Sequence, residues 1–330
     1  MSAQSWLNRL WYRPSAPLAL LPAAWLYGAV SAGRRAAYRR GWLSSRRLDR
    51  PVVVVGNLTV GGTGKTPLVA WLAARLAAAG RRPGIASRGY RGSTLAARLV
   101  AADDPAAIVG DEPLLLARHT RLPVAIGRAR AAAAQLLIEI GCDVVICDDG
   151  LQHYALARDL EIAVIDGERR FGNGRLLPAG PLRETPDRLA AVGAIVVNGG
   201  AAAAGEFAMR LEPGDAVRIR DGATAPLAAF AGSAVHGVAG IADPARFFRM
   251  LRGAGLEVIE HPLDDHAGLD APEVRFADRN PVLMTEKDAV KCAHLADDRH
   301  WFVPVEARFD AADEAALLRL VTRSMRGQRG

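Results

Sequence analysis

The sequence predicts a doubly wound, mostly parallel α/β sheet, joined to a second, smaller α/β domain and preceded by a membrane-associating helical segment. Three observations carry this expectation. Short continuous apolar runs such as PVVVVG (51–56) alternate with helix-like stretches, the rhythm of buried parallel strands joined by crossover helices. A glycine cluster ending in Lys-Thr, VGNLTVGGTGKTPLV (55–69), links the first run to the first helix. The positive charge is confined to one end: residues 1–50 hold nine arginines and one acid, Asp49, whereas the rest holds 33 basic and 34 acidic residues. With 330 residues, half of them apolar, the chain has material for two domains and a sizeable core, which excludes intrinsic disorder. Cys142, Cys147 and Cys292 show neither metal-ligand spacing nor an even framework, and read as buried thiols of a reducing compartment.

Residues 1–50 form the first unit. Between Arg13 and Arg34 there is no charge, and Trp6, Trp11, Trp25 and Trp42 are four of the six tryptophans. Tyr12, Tyr27 and Tyr38 lie here too. Aromatic rings beside arginines suit the headgroup layer of an anionic membrane. Pro14, Pro17 and Pro22 argue against one straight spanning helix, so an interfacial anchor is expected; a single span over 14–33 and a cleaved signal are the alternatives. A nucleic-acid enzyme would spread its basic face over the body, so no nucleic-acid partner is expected.

The core domain is expected over 51–215. After the strand at 51–56, a helix from Lys65 to Ala79 stops at Gly80. Strands follow at 82–87 and 123–127, then the alanine-rich helix RARAAAAQLLIEIG. CDVVICDDG (142–150), LEIAVIDG (160–167) and AVGAIVVNG (191–199) complete the set. GGAAAAGEFA (199–208) is a composition break. After it the rhythm resumes in AVHGVAGIADPARFFRML, LEVIEH, PVLMTEKDAVKCAHL and WFVPVEA, read as a smaller domain over 216–330.

The chemistry begins at the glycine cluster. A phosphate cradle needs converging backbone N–H groups and a helix N-terminus aimed at the same anion. Gly61, Gly62 and Gly64 allow the close approach, Thr63 completes the loop, Lys65 neutralises phosphate, and the Thr66 hydroxyl suits Mg²⁺. Pro67 suits a first helical turn, where its missing N–H costs nothing. The common pattern G-x-x-x-x-G-K-[ST] fails in one place, because Thr59 stands at its first glycine. Only three of the 42 basic residues are lysines (Lys65, Lys287 and Lys291), so a lysine at 65 is a specific choice. VVICDDG supplies the partner: Asp148 and Asp149 end an apolar strand, where carboxylates face the ligand crevice and hold Mg²⁺. The core is therefore expected to be P-loop NTPase-like.

Six stretches in order, GNLTVGGTGKTPLV, SRGYRG (87–92), VGDEPLLLA (109–117), CDDGLQH (147–153), LLPAGPLRE (176–184) and TEKDAVK (285–291), together with LPAAWLYG near the start, resemble the tetraacyldisaccharide 4'-kinase family of lipid A biosynthesis. The glycine loop with Thr59 belongs to that resemblance. It implies transfer of the γ-phosphate of ATP to the 4'-hydroxyl of a tetraacylated glucosamine disaccharide 1-phosphate, with Mg²⁺, at the cytoplasmic face of the inner membrane. It implies Asp111 as general base, supported by His266 of the second domain. Arg88 and Tyr90 are implied near nucleotide or sugar phosphate, Arg130 near the substrate phosphate, and Gln152 and Glu184 near Mg²⁺ or water. A monomer is expected. Two other readings stay open from the residues alone: a nucleotide hydrolase driving conformational work, such as metal insertion or targeting, and a membrane-tethered nucleotide-binding scaffold.

Overall fold

Successive side chains of a strand point to opposite faces, and the first strand shows the consequence. Every residue of Val52–Gly56 is buried. Val53 and Val55 enter one apolar core, while Val52 and Val54 enter another. Only a sheet covered on both faces can use such a strand. The computed structural model describes residues 10–13, 17–94, 96–264 and 271–326.

The elements that position the site are α1 (Leu21–Arg39), β1 (Val52–Gly56), α2 (Lys65–Ala78), β2 (Pro83–Ser87), β3 (Arg98–Leu99), α3 (Asp111–Thr120), β4 (Val124–Ile126), α4 (Arg130–Glu139), β5 (Val144–Asp148), β6 (Leu160–Asp166), β7 (Ala194–Asn198) and β8 (Phe207–Pro213). There follow β9 (Ala216–Arg218), β10 (Thr224–Ala225), β11 (Ala234–Ala239), α5 (Pro244–Gly253), β12 (Glu257–Pro262), β13 (Val282–Thr285), α6 (Glu286–Cys292), β14 (His300–Val303), β15 (Val305–Arg308) and α7 (Ala311–Arg326).

The first sheet runs β15-β8-β7-β6-β1-β5-β2-β4-β3. It is parallel from β8 to β4, with antiparallel strands at both edges. Leu68 and Leu72 of α2, Leu116 of α3 and Leu317 of α7 cover one face. Ala133 and Leu137 of α4, with Leu151 and Leu182, cover the other. Each fully buried leucine contributes about 1.5–3 kcal/mol. The second sheet runs β10-β9-β14-β13-β11-β12, with Phe247, Phe248 and Leu251 of α5 on one face and Ala289 and Cys292 of α6 on the other. All three cysteines are free and buried.

Two features differ from the sequence expectation. The composition break gives way to β8, whose Met209 joins the core. WFVPVEA is not one strand: Pro304 interrupts it, and β14 stays in the second sheet while β15 pairs antiparallel with β8 in the first. α7 then packs onto the first sheet through Leu317 and Val321. Residues 305–326 thus belong with the first sheet rather than with the rest of 216–330. The cause is the unsatisfied edge and apolar face of β8, which the end of the chain covers.

Helix α1 has a divided surface. Ala24 is buried, and at Gly28 even a Cβ would come within 2.7 Å of Leu176. Trp25, Leu26 and Val30 are 69%, 68% and 64% exposed. Among the described residues, no helix is long and apolar enough to cross a membrane.

Candidate active site

Thr59 is where the loop departs from the common pattern, and its pairing shows why a glycine is not needed. Thr59 is buried and forms an antiparallel bridge with Leu182. Val60 N donates to Pro181 O (2.8 Å), and Arg183 N donates to Leu58 O (2.6 Å). The loop therefore enters in extended backbone, stapled to the LLPAGPLRE stretch, and threonine suits that conformation. The turn comes later. Gly64 has φ +94°, and a Cβ there would lie 2.5 Å from Asn198 Nδ2. Only glycine meets both demands. Asn198, at the end of β7, donates to Thr63 O (3.1 Å) and clamps the loop. Helix α2 then begins at Lys65.

β1 and β5 are neighbours, with Val55 opposite Asp148, so the loop and the paired acids meet at the carboxyl ends of the parallel strands. The connection from β5 passes over β1 to β6, and ligands bind where a sheet's winding reverses in this way. Lys65 Nζ lies 3.7 Å from Asp149 Oδ1. Arg183 Nη1 donates to both Asp149 oxygens, at 2.8 and 2.9 Å. Burial opposes the charge on Asp149, but Lys65 and Arg183 outweigh it and hold its carboxyl far below the usual range. Asp148 behaves oppositely. Burial above all, with Glu112 acting in the same direction, raises it to about 7. Among the described residues, neither buried Asp148 oxygen has a hydrogen-bond partner. The orphaned Asp148 carboxylate, buried at the end of β5 next to cleft-lining Asp149, together with the Thr66 hydroxyl in the cleft, is a donor set that fits a hard divalent cation. The described residues contain no cluster of three acid, histidine or cysteine side chains that could hold a metal ion by themselves.

The cleft encloses about 750 Å³ between the two sheets. Gly61, Gly62, Thr63, Gly64, Lys65 and Thr66 line it, as do Arg88, Tyr90, Arg130, Asp149 and Gln152. Arg130, the first residue of α4, is buried and donates to Gly127 O at 3.1 Å. The second unit adds Ile241, Ala242, Phe247 and Lys287, and α1 adds Tyr27 and Arg34. Salt bridges Arg169–Asp243 (2.9 Å) and Arg246–Asp166 (3.0 Å) join the units beside it.

Two expected residues are placed differently. Glu184 is buried behind the cleft, its oxygens taken by Gln152 Nε2 (3.1 Å) and the Tyr154 hydroxyl, so it holds Gln152 rather than offering free oxygens to a cation. Asp111 opens α3 after Gly110, a position whose φ of +91° and 2.6 Å Cβ approach to Tyr90 O demand glycine. The Asp111 carboxylate turns toward α6, 4.0 Å from Lys291 Nζ, while its neighbour Glu112 lines the cleft. His266 lies outside the described residues. Sequence reasoning missed Glu112, Arg183, Asn198 and Lys291. Arg183 and Glu112 sit inside recognised stretches, so adjacency to Glu184 and Asp111 was the available signal. Lys291 ends the recognised stretch TEKDAVK and is one of only three lysines, which was its signal, whereas Asn198 acts through a distant partner and left none.

Comparison with known proteins adds the last observation. A sequence model described as tetraacyldisaccharide-1-P 4'-kinase matches residues 16–324. The tetraacyldisaccharide 4'-kinase of Alkalilimnicola ehrlichii is 57% identical over 307 residues, covering 92% of this chain and 93% of that protein. That of Xanthomonas euvesicatoria is 52% identical over 323 residues, with 93% of each covered. A crystal structure of LpxK from Aquifex aeolicus in complex with ATP superimposes with a TM-score of 0.79 at 28% identity, over 93% of this chain and 98% of that one.

Proposed function

The chain belongs to the tetraacyldisaccharide-1-P 4'-kinase family, and from that premise we propose how its residues divide the work. The reaction moves the γ-phosphate of ATP onto the 4'-hydroxyl of a tetraacylated glucosamine disaccharide 1-phosphate, a step of lipid A biosynthesis. The observation that carries the residue assignment is the meeting of loop 61–66, Lys65 and the Asp148–Asp149 pair at one end of the parallel strands.

Phosphoryl transfer asks for alignment and charge neutralisation more than for covalent help. The loop amides and the N-terminus of α2 bind the phosphate tail. Lys65 neutralises its developing charge, and Asp149, shared with Arg183, aims the ammonium. Asp148 and Thr66 would hold Mg²⁺, which when bound would supply positive charge to neutralise the phosphates. Arg88, Tyr90 and Arg130 bind phosphate of nucleotide or lipid, and Gln152, fixed by Glu184, binds beside them. Asp111 accepts the proton of the 4'-hydroxyl, with His266 as its support. The carboxylate must therefore swing or be carried toward the cleft, a motion that closure of the two units supplies.

The lipid arrives from the cytoplasmic face of the inner membrane. Trp25, Leu26 and Val30 lie in the headgroup layer, the arginines of α1 meet anionic lipid, and the edge bearing Tyr27 and Arg34 borders the cleft. A single copy suffices for this arrangement. Replacing Trp25 and Leu26 with glutamate removes about 1.5–3 kcal/mol of burial per side chain. Vesicle cosedimentation is expected to fall at least tenfold, and KM to rise for lipid but not for ATP. An equal rise in both would place the helix in the enzyme core instead.

The raised pKa of Asp148 gives a pH prediction with a definite sign. The folded protein holds this proton more tightly than the unfolded chain, so the metal-free fold loses stability as pH rises from about 4 toward about 7. Mg²⁺ must displace the proton, so its affinity weakens as pH falls below about 7, by up to tenfold per unit. Asp148→Asn is expected to raise the metal-free melting temperature at high pH but not at low pH, and to abolish Mg²⁺ binding measured by calorimetry. An affinity flat with pH would remove Asp148 from the cation site.

One experiment tests the whole assignment. With γ-labelled ATP and the disaccharide monophosphate, label is expected in the lipid. Label released as inorganic phosphate at the same rate without lipid would mark a hydrolase.

A further inference from the structure

Two of the three lysines of this arginine-rich chain, Lys65 and Lys287, line the cleft. Lys65 is in the loop, while Lys287 and Lys291 stand one turn apart on α6. Lys287 Nζ lies 3.8 Å from Glu112 Oε1, and Lys291 Nζ lies 4.0 Å from Asp111 Oδ2. Helix α6 thus sets two ammonium groups against the two acids that open α3. Lys291 is itself held. Its side chain is 9% exposed, and Nζ donates to Asp288 Oδ1 at 3.2 Å. Asp288 is wholly buried, and its Oδ2 accepts from Gly240 N (2.8 Å) and Thr285 Oγ1 (2.6 Å). Gly240 N and Thr285 Oγ1 therefore fix the carboxylate that in turn holds the Lys291 ammonium.

We infer that Lys291 is a positioning residue for Asp111: its ammonium, anchored by Asp288, orients the carboxylate and keeps it ionised while the acceptor hydroxyl gives up its proton. This deepens the reading of Asp111 as the base and rests on it. Charges around Asp111 come from several elements. Glu112 follows it on α3, Lys65 lines the adjoining cleft with Asp148 buried at the end of β5, and α6 contributes Glu286, Lys287, Asp288 and Lys291. Glu286 is engaged by His119 at 3.1 Å and Lys287 faces Glu112, so Lys291 is the α6 cation turned to Asp111. A lysine rather than an arginine suits the place, because a compact ammonium can bridge two carboxylates in a buried gap.

Lys291→Met keeps the stem and deletes the charge. The double variant Asp288→Asn/Lys291→Met deletes both charges, so no lone carboxylate stays buried if the single variant misfolds. Lys291→Arg restores a charge. For each, melting temperature, KM for ATP and the pH profile of kcat are measured on the full chain with both substrates. In Lys291→Met and the double variant, kcat at neutral pH is expected to fall about tenfold through lost orientation. The acid limb is expected to move up by about one pH unit, with KM for ATP unchanged, and Lys291→Arg is expected to recover the limb. An acid limb that stays in place in a folded variant overturns the inference, as does a loss confined to KM or to melting temperature. Asp111→Asn separates the two claims: if it is fully active, the base reading has failed; if it is inactive while the limb is unmoved, only the role of Lys291 has failed.

Discussion

Lys65→Ala is expected to lower kcat by about a thousandfold or more, while the protein melts close to its normal temperature. The size follows from where the lysine acts. Charge on the transferring phosphoryl group grows toward the transition state, and a fixed ammonium inside a cleft meets it without reorganising water. Stability is spared because Lys65 belongs to no apolar core, and Asp149 keeps its two bonds to Arg183 when the lysine is gone. Lys65→Arg is not expected to rescue, since a planar guanidinium cannot stand in a gap shaped by Gly64 and a 3.7 Å contact to Asp149. Steady-state kinetics beside a thermal melt decides the matter. Activity within a few-fold of the parent would take the loop out of the chemistry.

Asp111→Asn is expected to reduce turnover by about 10²–10⁴-fold and leave ATP binding intact. The amide fills the same volume at the first position of α3, but it cannot accept a proton. Asp111 lines neither the loop nor the paired acids, so nucleotide affinity measured by calorimetry has no reason to change. A variant that binds ATP and still phosphorylates lipid at the parent rate would assign the proton to another acceptor, with cleft-lining Glu112 the next to test.

What could be read from the sequence was local. Continuous apolar runs announced β1, β5 and β6, because a strand buried on both faces is apolar through most of its length and keeps its acids near its ends. Glycines, a lysine and a threonine between strand and helix announced the phosphate cradle. What could not be read was made by distant pairings. Thr59 looked like a defect until Leu182 supplied its bridge. Asn198 reaches the loop from 135 residues away. Glu184 kept its motif position, yet Gln152 and Tyr154 took its oxygens. Asp111 was legible as a functional acid, but its facing of Lys291 depends on how α6 docks, which no periodicity records.

The return of the chain at Pro304 has a mechanical consequence. The smaller sheet is entered between β8 and β9 and left between β14 and β15, so two covalent tethers fasten it to its neighbour. A body held at two points can rock about the line between them but cannot twist freely. Any relative movement of the two sheets is therefore restricted to that line, which keeps Lys287 and Lys291 facing the same two acids.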